Sequence, residues 1–131
     1  MMHRSTTAAA VAALALTGAC APAGAMDGTS PSALPAAVVR VENRNWLDMN
    51  VYVVQGSSRI RLGMVTSMNT QTFRVPGMML RNPTALRLLA DPIGGRNGYV
   101  SHELMVRPGE QVAMMVHNAV AMSSVAVWGG R

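Results

Sequence analysis

The chain has 131 residues, enough for one domain and too few for two with separate cores, and half of them are apolar, which excludes a disordered chain. Eleven arginines and no lysine stand against six acidic residues, a net charge of +5 that favours anionic partners by long-range attraction. The arginines are scattered singly with no aromatic stacking platform between them, so no nucleic-acid partner is expected.

With two Trp, two Tyr and one Phe, the core must be built from aliphatic residues and from some of the twelve methionines. Methionine fills irregular gaps where aromatic rings are scarce.

Residues 1–7, M-M-H-R-S-T-T, are weakly basic, and 8–16 form a nine-residue apolar run. That run matches a signal-peptide core and is too short to span a bilayer, so residues 1–19 are read as a signal peptide. Small residues follow and offer two cleavage positions. Ala23-Gly24-Ala25 fits the small-x-small rule, with a cut before Met26. Leu16-Thr17-Gly18-Ala19-Cys20 resembles the lipobox of bacterial lipoproteins, with Thr17 where that family usually has leucine and Leu16 one place earlier. The resemblance implies that Cys20 becomes the acylated first residue of the mature protein. Its partner is then the membrane, on the periplasmic or cell-surface side of the bacterial envelope. The other cut leaves a soluble secreted or periplasmic protein. A single cysteine excludes an intramolecular disulfide. Residues 20–36 join the lipid-attachment cysteine to a stretch rich in Pro, Gly, Ser and Ala, read as a flexible linker. The folded domain is placed at 37–131.

Within that domain, 37–42 (A-V-V-R-V-E) alternates as a strand. N-R-N-W-L-D-M-N, 43–50, suits a turn, with Trp46 expected as a lid on the core edge. Residues 49–65 predict a hairpin about Gly56-Ser57, with glycine at the positive-φ position of a type II′ turn. Its inward pairs are Met49 with Met64, Val51 with Leu62 and Val53 with Ile60. Its outward pairs are Tyr52 with Arg61 and Val54 with Arg59. Q-T-F-R-V-P, 71–76, is expected to continue this sheet by pairing Met64 with Phe73 and Leu62 with Val75, and Pro76 ends it. A-L-R-L-L-A, 85–90, alternates around Arg87. Residues 99–107 and 111–117 flank Pro108-Gly109 as a second hairpin, with Val106 opposite Val112, His102 facing the core and His117 facing out. A register with a tighter loop sets both histidines on one face but puts Met114 opposite Glu103. S-V-A-V-W, 124–128, is the last strand. Short turn-punctuated strands without helices imply an all-β chain, an antiparallel β-sandwich of about 7–8 strands, immunoglobulin-like or similar.

The segments V-x-N-x-N-W-x-D-M-N-V-Y-V, R-x-R-L-G-x-V, R-L-L-A-D-P-I-G and V-x-P-G-E-x-V are similar to those of small exported bacterial proteins, over most of residues 38–116. That resemblance implies export and a β fold and no chemistry.

Four constellations were weighed as sites. His102, His117, Met114 and Met115, with Met105 and Met122 nearby, have the donor types that suit Cu(I). Ser101-His102-Glu103 reads like a relay, but adjacent strand residues alternate faces, and there is no Gly-x-Ser-x-Gly elbow. Asp91 and Asn97 in D-P-I-G-G-R-N-G, 91–98, could supply oxygen ligands, yet the loop reads as a polar turn. Arg59, Arg61 and Arg74, with Tyr52 beside them, are expected on one solvent-facing sheet surface as a partner-binding cluster. The reading is a non-enzymatic envelope lipoprotein without a cofactor, an interaction or structural module. Its expected partner beyond the membrane is an anionic envelope polymer or another envelope protein. The alternative is an exported Cu(I)-binding protein.

Overall fold

Runs that alternate apolar and polar residues become strands because only one face of each can be buried. The computed structural model describes residues 34–80 and 84–129. The signal peptide, Cys20 and both cleavage positions lie outside the described residues. Nine strands follow in order: β1 (Ala37–Arg44), β2 (Met49–Gln55), β3 (Ser58–Val65), β4 (Thr70–Val75), β5 (Thr84–Pro92), β6 (Tyr99–Val100), β7 (Leu104–Val106), β8 (Gln111–His117) and β9 (Ser124–Trp128). Single 3-10 turns occupy Gly77–Leu80 and Val120–Met122.

The strands form a β-sandwich. One sheet runs β4-β1-β8-β9, and the other β3-β2-β5-β6, with β7 beside β6 on the same edge of β5. Their inward faces meet in a core of Val, Leu, Ala and Met that holds no aromatic residue. Val39, Val41, Val112, Met114 and Val116 face Val51, Val53, Leu86, Leu88 and Ala90 across it. Phe73 and Tyr99 only flank this core.

The expected elements are present, but several neighbours differ. The Gly56-Ser57 hairpin forms with Gly56 at φ 56° and with Tyr52–Arg61, Val53–Ile60 and Val54–Arg59 paired as expected. Beyond Tyr52 a β-bulge inserts Leu62, so Val51 pairs with Gly63 and Met49 with Val65. An inserted residue reverses the faces of everything after it. Met64, expected inside, therefore points out at 41% exposure, and Val65 is buried instead.

The third strand of the expected meander leaves the sheet altogether. β4 pairs with β1, Val39 opposite Phe73 and Val38 opposite Arg74. A Cβ on Gly63 would lie 2.5 Å from Phe73 Cε1, so the phenyl ring closes directly over the Gly63 backbone where the two sheets meet. Arg74, expected beside Gly63, belongs to the opposite sheet.

The second expected hairpin is also a crossover between sheets. β7 pairs with β5, whereas β8 pairs with β9 and, in parallel, with β1. The strand expected over 99–107 is interrupted after Val100. Ser101 holds the gap: its N–H donates to the Leu88 carbonyl at 2.8 Å, and its Oγ accepts from Leu88 N–H at 2.9 Å. His102, expected in the core, is exposed in this interruption. The parallel β1–β8 pair makes the sandwich mixed rather than wholly antiparallel.

Leu88 is fully buried on the central strand β5. Leu88→Ala is expected to cost about 2–5 kcal/mol, read as a lower urea midpoint, while Met78→Ala at an exposed position leaves the midpoint within error.

Candidate functional site

The alternation of β1 continues two residues past its expected end. Ala37, Val39 and Val41 point inward, so Asn43 does too, at 1% exposure. A buried amide must find partners or cost stability. The Asn43 Nδ2 group donates to the carbonyls of Leu47 at 2.8 Å and Thr66 at 3.1 Å, with Val65 a longer contact at 3.4 Å. Its Oδ1 accepts from Asn45 N–H at 2.9 Å. One side chain thus ties the end of β1 to the β1–β2 loop and to the end of β3.

The rest of that loop is wired in the same manner. Asn45 Nδ2 donates to the His117 carbonyl at 3.1 Å, and its Oδ1 accepts from Leu47 N–H at 2.9 Å. Trp46 N–H donates to Asn118 Oδ1 at 2.9 Å. Asp48 Oδ1 accepts from Ser67 N–H, and its carbonyl accepts from Ile93 N–H, both at 2.8 Å. The short polar side chains turn inward to satisfy the backbone, and the indole between them is turned out. Trp46 is 73% exposed, so it is not the lid expected from the sequence.

The indole borders a cleft of about 610 Å³. Leu47 and Asn45 line it from the β1–β2 loop, Pro92 and Gly95–Asn97 from the β5–β6 loop, and Asn118–Ala121 from the segment after β8. Gly94 turns the β5–β6 loop at φ 80°, a conformation that suits glycine. Arg96 is the one charged residue on the lining, and no carboxylate lines it. Asn97, weighed as a cation ligand, is therefore in the cleft. Asp91, weighed with it, lies in β5 and binds Arg59 at 3.1 Å.

The cleft lies at the pole opposite the point where the chain enters the sandwich. β1 starts at Ala37 and ends at Arg44, so its eight residues carry the chain about 25 Å from one pole to the other. At the starting pole Leu34 lies against Gly77, whose place a Cβ would deny to the Leu34 carbonyl.

The other candidate residues do not converge. Met114 is buried in the core, Met115 lies on the outer face of the same strand, His117 ends that strand, and His102 is exposed in the gap between β6 and β7, at the edge of the other sheet. Among the described residues no group of three His, Cys, Asp or Glu side chains is placed to hold a metal ion. The Ser101 hydroxyl donates to the His102 carbonyl at 2.7 Å and so faces its own backbone. The arginine cluster is divided and internally engaged. Arg59 stacks on Tyr52 at 3.8 Å from the ring centroid, Arg61 donates twice to Asn50 Oδ1, and Arg74 is in the other sheet.

A second surface also escaped the sequence reading. On the outer face of β1, β8 and β9, Ala113 and Ala126 floor a trough of about 290 Å³ walled by Arg40, Glu42, Met115 and Trp128. Both tryptophans therefore lie outside the core. Trp128 falls on the outward phase of its strand after the half-buried Val125 and Val127, and Trp46 follows the buried Asn43 and Asn45, so alternation carried through both positions was the signal for their outward places.

No family model and no curated protein matches the sequence. An NMR structure of a protein from Eubacterium rectale is similar over 82% of this chain and 98% of its own length, at 14% identity and a TM-score of 0.42.

Asn43→Ala leaves the Leu47 and Thr66 carbonyls without their donor. It is expected to cost about 1–3 kcal/mol and to speed amide hydrogen exchange across residues 44–48, while exchange in β5 follows global stability alone.

Proposed function

We propose that the protein is a non-enzymatic lipoprotein of the bacterial envelope and acts as an interaction module through its loop pole. The observation that carries the reading is Trp46: an exposed indole on a loop pinned by the Asn43, Asn45, Asp48 and Asn118 side chains, bordering a cleft of about 610 Å³, in a chain with only two tryptophans. A soluble domain gains by burying indoles, and an exposed one on a fixed loop is a binding platform. A loop already ordered before binding loses little entropy when a ligand arrives.

The anchor itself rests on the lipobox-like run that ends at Cys20. With the lipid on Cys20 and a linker ending where β1 begins, the membrane lies on the side of the starting pole. The Trp46 cleft then faces away from the bilayer, toward whatever the envelope presents. The divided arginines supply no competing surface, since Arg59 and Arg61 already have partners within the domain.

Mass spectrometry of the mature protein tests the anchor. The expected species begins at an acylated Cys20, and Cys20→Ala moves the protein into the soluble fraction; an unmodified chain beginning at Met26 refutes the anchor. The pole is tested by replacing Trp46 with a photo-crosslinking residue in intact cells. Adducts are expected at position 46 and not at Arg61, and adducts at Arg61 alone refute the assignment of the pole.

A further inference from the structure

The lining of the cleft narrows the ligand class, and this step rests on the loop pole being the recognition surface. We infer that the Trp46 cleft binds an acidic saccharide, with one sugar ring stacked on the indole and its carboxylate on Arg96.

Three features of the cleft select this class. The first is the combination of one exposed ring with a rim of amides. A pyranose ring has an apolar C–H face and an equatorial rim of hydroxyls. Trp46 offers the flat apolar surface for the former, and Asn97 and Asn118 offer amide groups for the latter. Asn118 spends its Oδ1 on Trp46 N–H, so its Nδ2 is the group left to donate toward a ligand. Leu47, Pro92 and Val120 share the cleft with three asparagines and an arginine, a mixed lining that suits a sugar better than it suits the contiguous apolar centre of a protein-binding hot spot.

The second feature is charge. Arg96 is the one ionised side chain on the lining, and among the described residues it enters no ion pair; Arg40, Arg61, Arg74 and Arg107 share that state, and its place on the cleft is what sets Arg96 apart. A guanidinium without a partner presents its planar fork to a carboxylate, the geometry in which two parallel hydrogen bonds form. With the leader and its Arg4 removed, ten arginines against six acidic residues leave +4, which adds a general attraction for a polyanion.

The third feature is shape. The cleft is built from three loops at an open end of the sandwich, so a polymer can cross it without threading into the fold. A buried pocket would restrict the ligand to a free small molecule. Gly95 and Arg96 of the β5–β6 loop and Ala119–Ala121 of the segment after β8 line this one cleft.

Indole fluorescence of the full chain carrying Trp128→Phe, in which Trp46 is the sole indole, tests the inference. The probes are oligosaccharides of galacturonate, glucuronate and mannuronate, each beside its carboxyl-reduced counterpart. At least one acidic oligomer is expected to shift Trp46 emission saturably and to bind tenfold or more tightly than its reduced form. Arg96→Gln is expected to abolish that difference while leaving the reduced form's affinity within twofold, and Trp46→Ala, followed by calorimetry, to abolish binding of both. Added salt should narrow the preference, because part of it is Coulombic. Equal affinities for acidic and reduced forms, or no binding of any oligomer, overturn the inference. If no oligomer binds and the photo-crosslinker at position 46 captures an acidic peptide or protein, the ligand class falls and the recognition pole stands. If position 46 yields no adduct either, both fall.

Discussion

The amide of Asn43 is the constraint on which the loop pole depends. It is the last inward residue of a strand whose other inward residues are Ala and Val, and it sits where the two sheets separate. Its two N–H groups are shared over carbonyls of the β1–β2 and β3–β4 connections, and its oxygen accepts from Asn45. A valine there would extend the core by one residue and leave those backbone groups unanswered. The polar choice exchanges apolar burial for a closed network. Asn45, Asp48 and Asn118 continue that network across the pole. Trp46 lies outside it, because the polar side chains around it, Asn43, Asn45 and Asp48, bond backbone groups of the loops and the indole has no part in that network.

The core tolerates this because it is uniform. Small and medium aliphatic side chains on two facing sheets fill the interior without a ring to anchor them. Methionines behave as the composition implied in some cases and not in others: Met49 and Met114 are buried, whereas Met68, Met78, Met105 and Met122 are mostly exposed. The two indoles and one phenol are thereby released to the surface. Tyr52 has been taken by Arg59, whose guanidinium lies over its ring and also reaches Asp91. Exposed pairs of that kind contribute little stability, but they occupy the charges that a basic patch would need to be free. Arg96 differs in its place: it lines the cleft beside Trp46, where no carboxylate accompanies it.

Much of the strand map was legible. β2, β8 and β9 fall where alternation put them, Pro76 closes β4, and Gly56 turns the first hairpin. The places where the reading failed share a cause. Leu62 is apolar and in phase with the hairpin, so nothing local marks it as the inserted residue of a bulge. Pro108-Gly109 carries turn chemistry whether the chain reverses within one sheet or steps across to the other. Phe73 is inward in either sheet, and only its closure over Gly63 distinguishes them. The candidate site was hidden for a related reason. Asn43 was assigned to a turn by residue type, although two more steps of the alternation would have placed it inside. Arg96 and Asn97 are far in sequence from Trp46 and from Asn118, and the three segments meet only because β1, β5 and β8 end at the same pole.

By itself the sequence determined the all-β character, the position of most strands and turns, the aliphatic core and the expectation of an exported, lipid-modified chain. Those follow from local quantities: period-two alternation, the φ preferences of Gly and Pro, and the length of an apolar run. The tertiary structure alone decided which sheet each strand joins, the parallel pairing of β1 with β8, the division of the arginines and the gathering of three loops around Trp46. Alternation specifies which side of a strand is buried but not which strand lies beside it. One inserted residue or one crossover, each cheap in local terms, redirects the faces and neighbours of everything that follows.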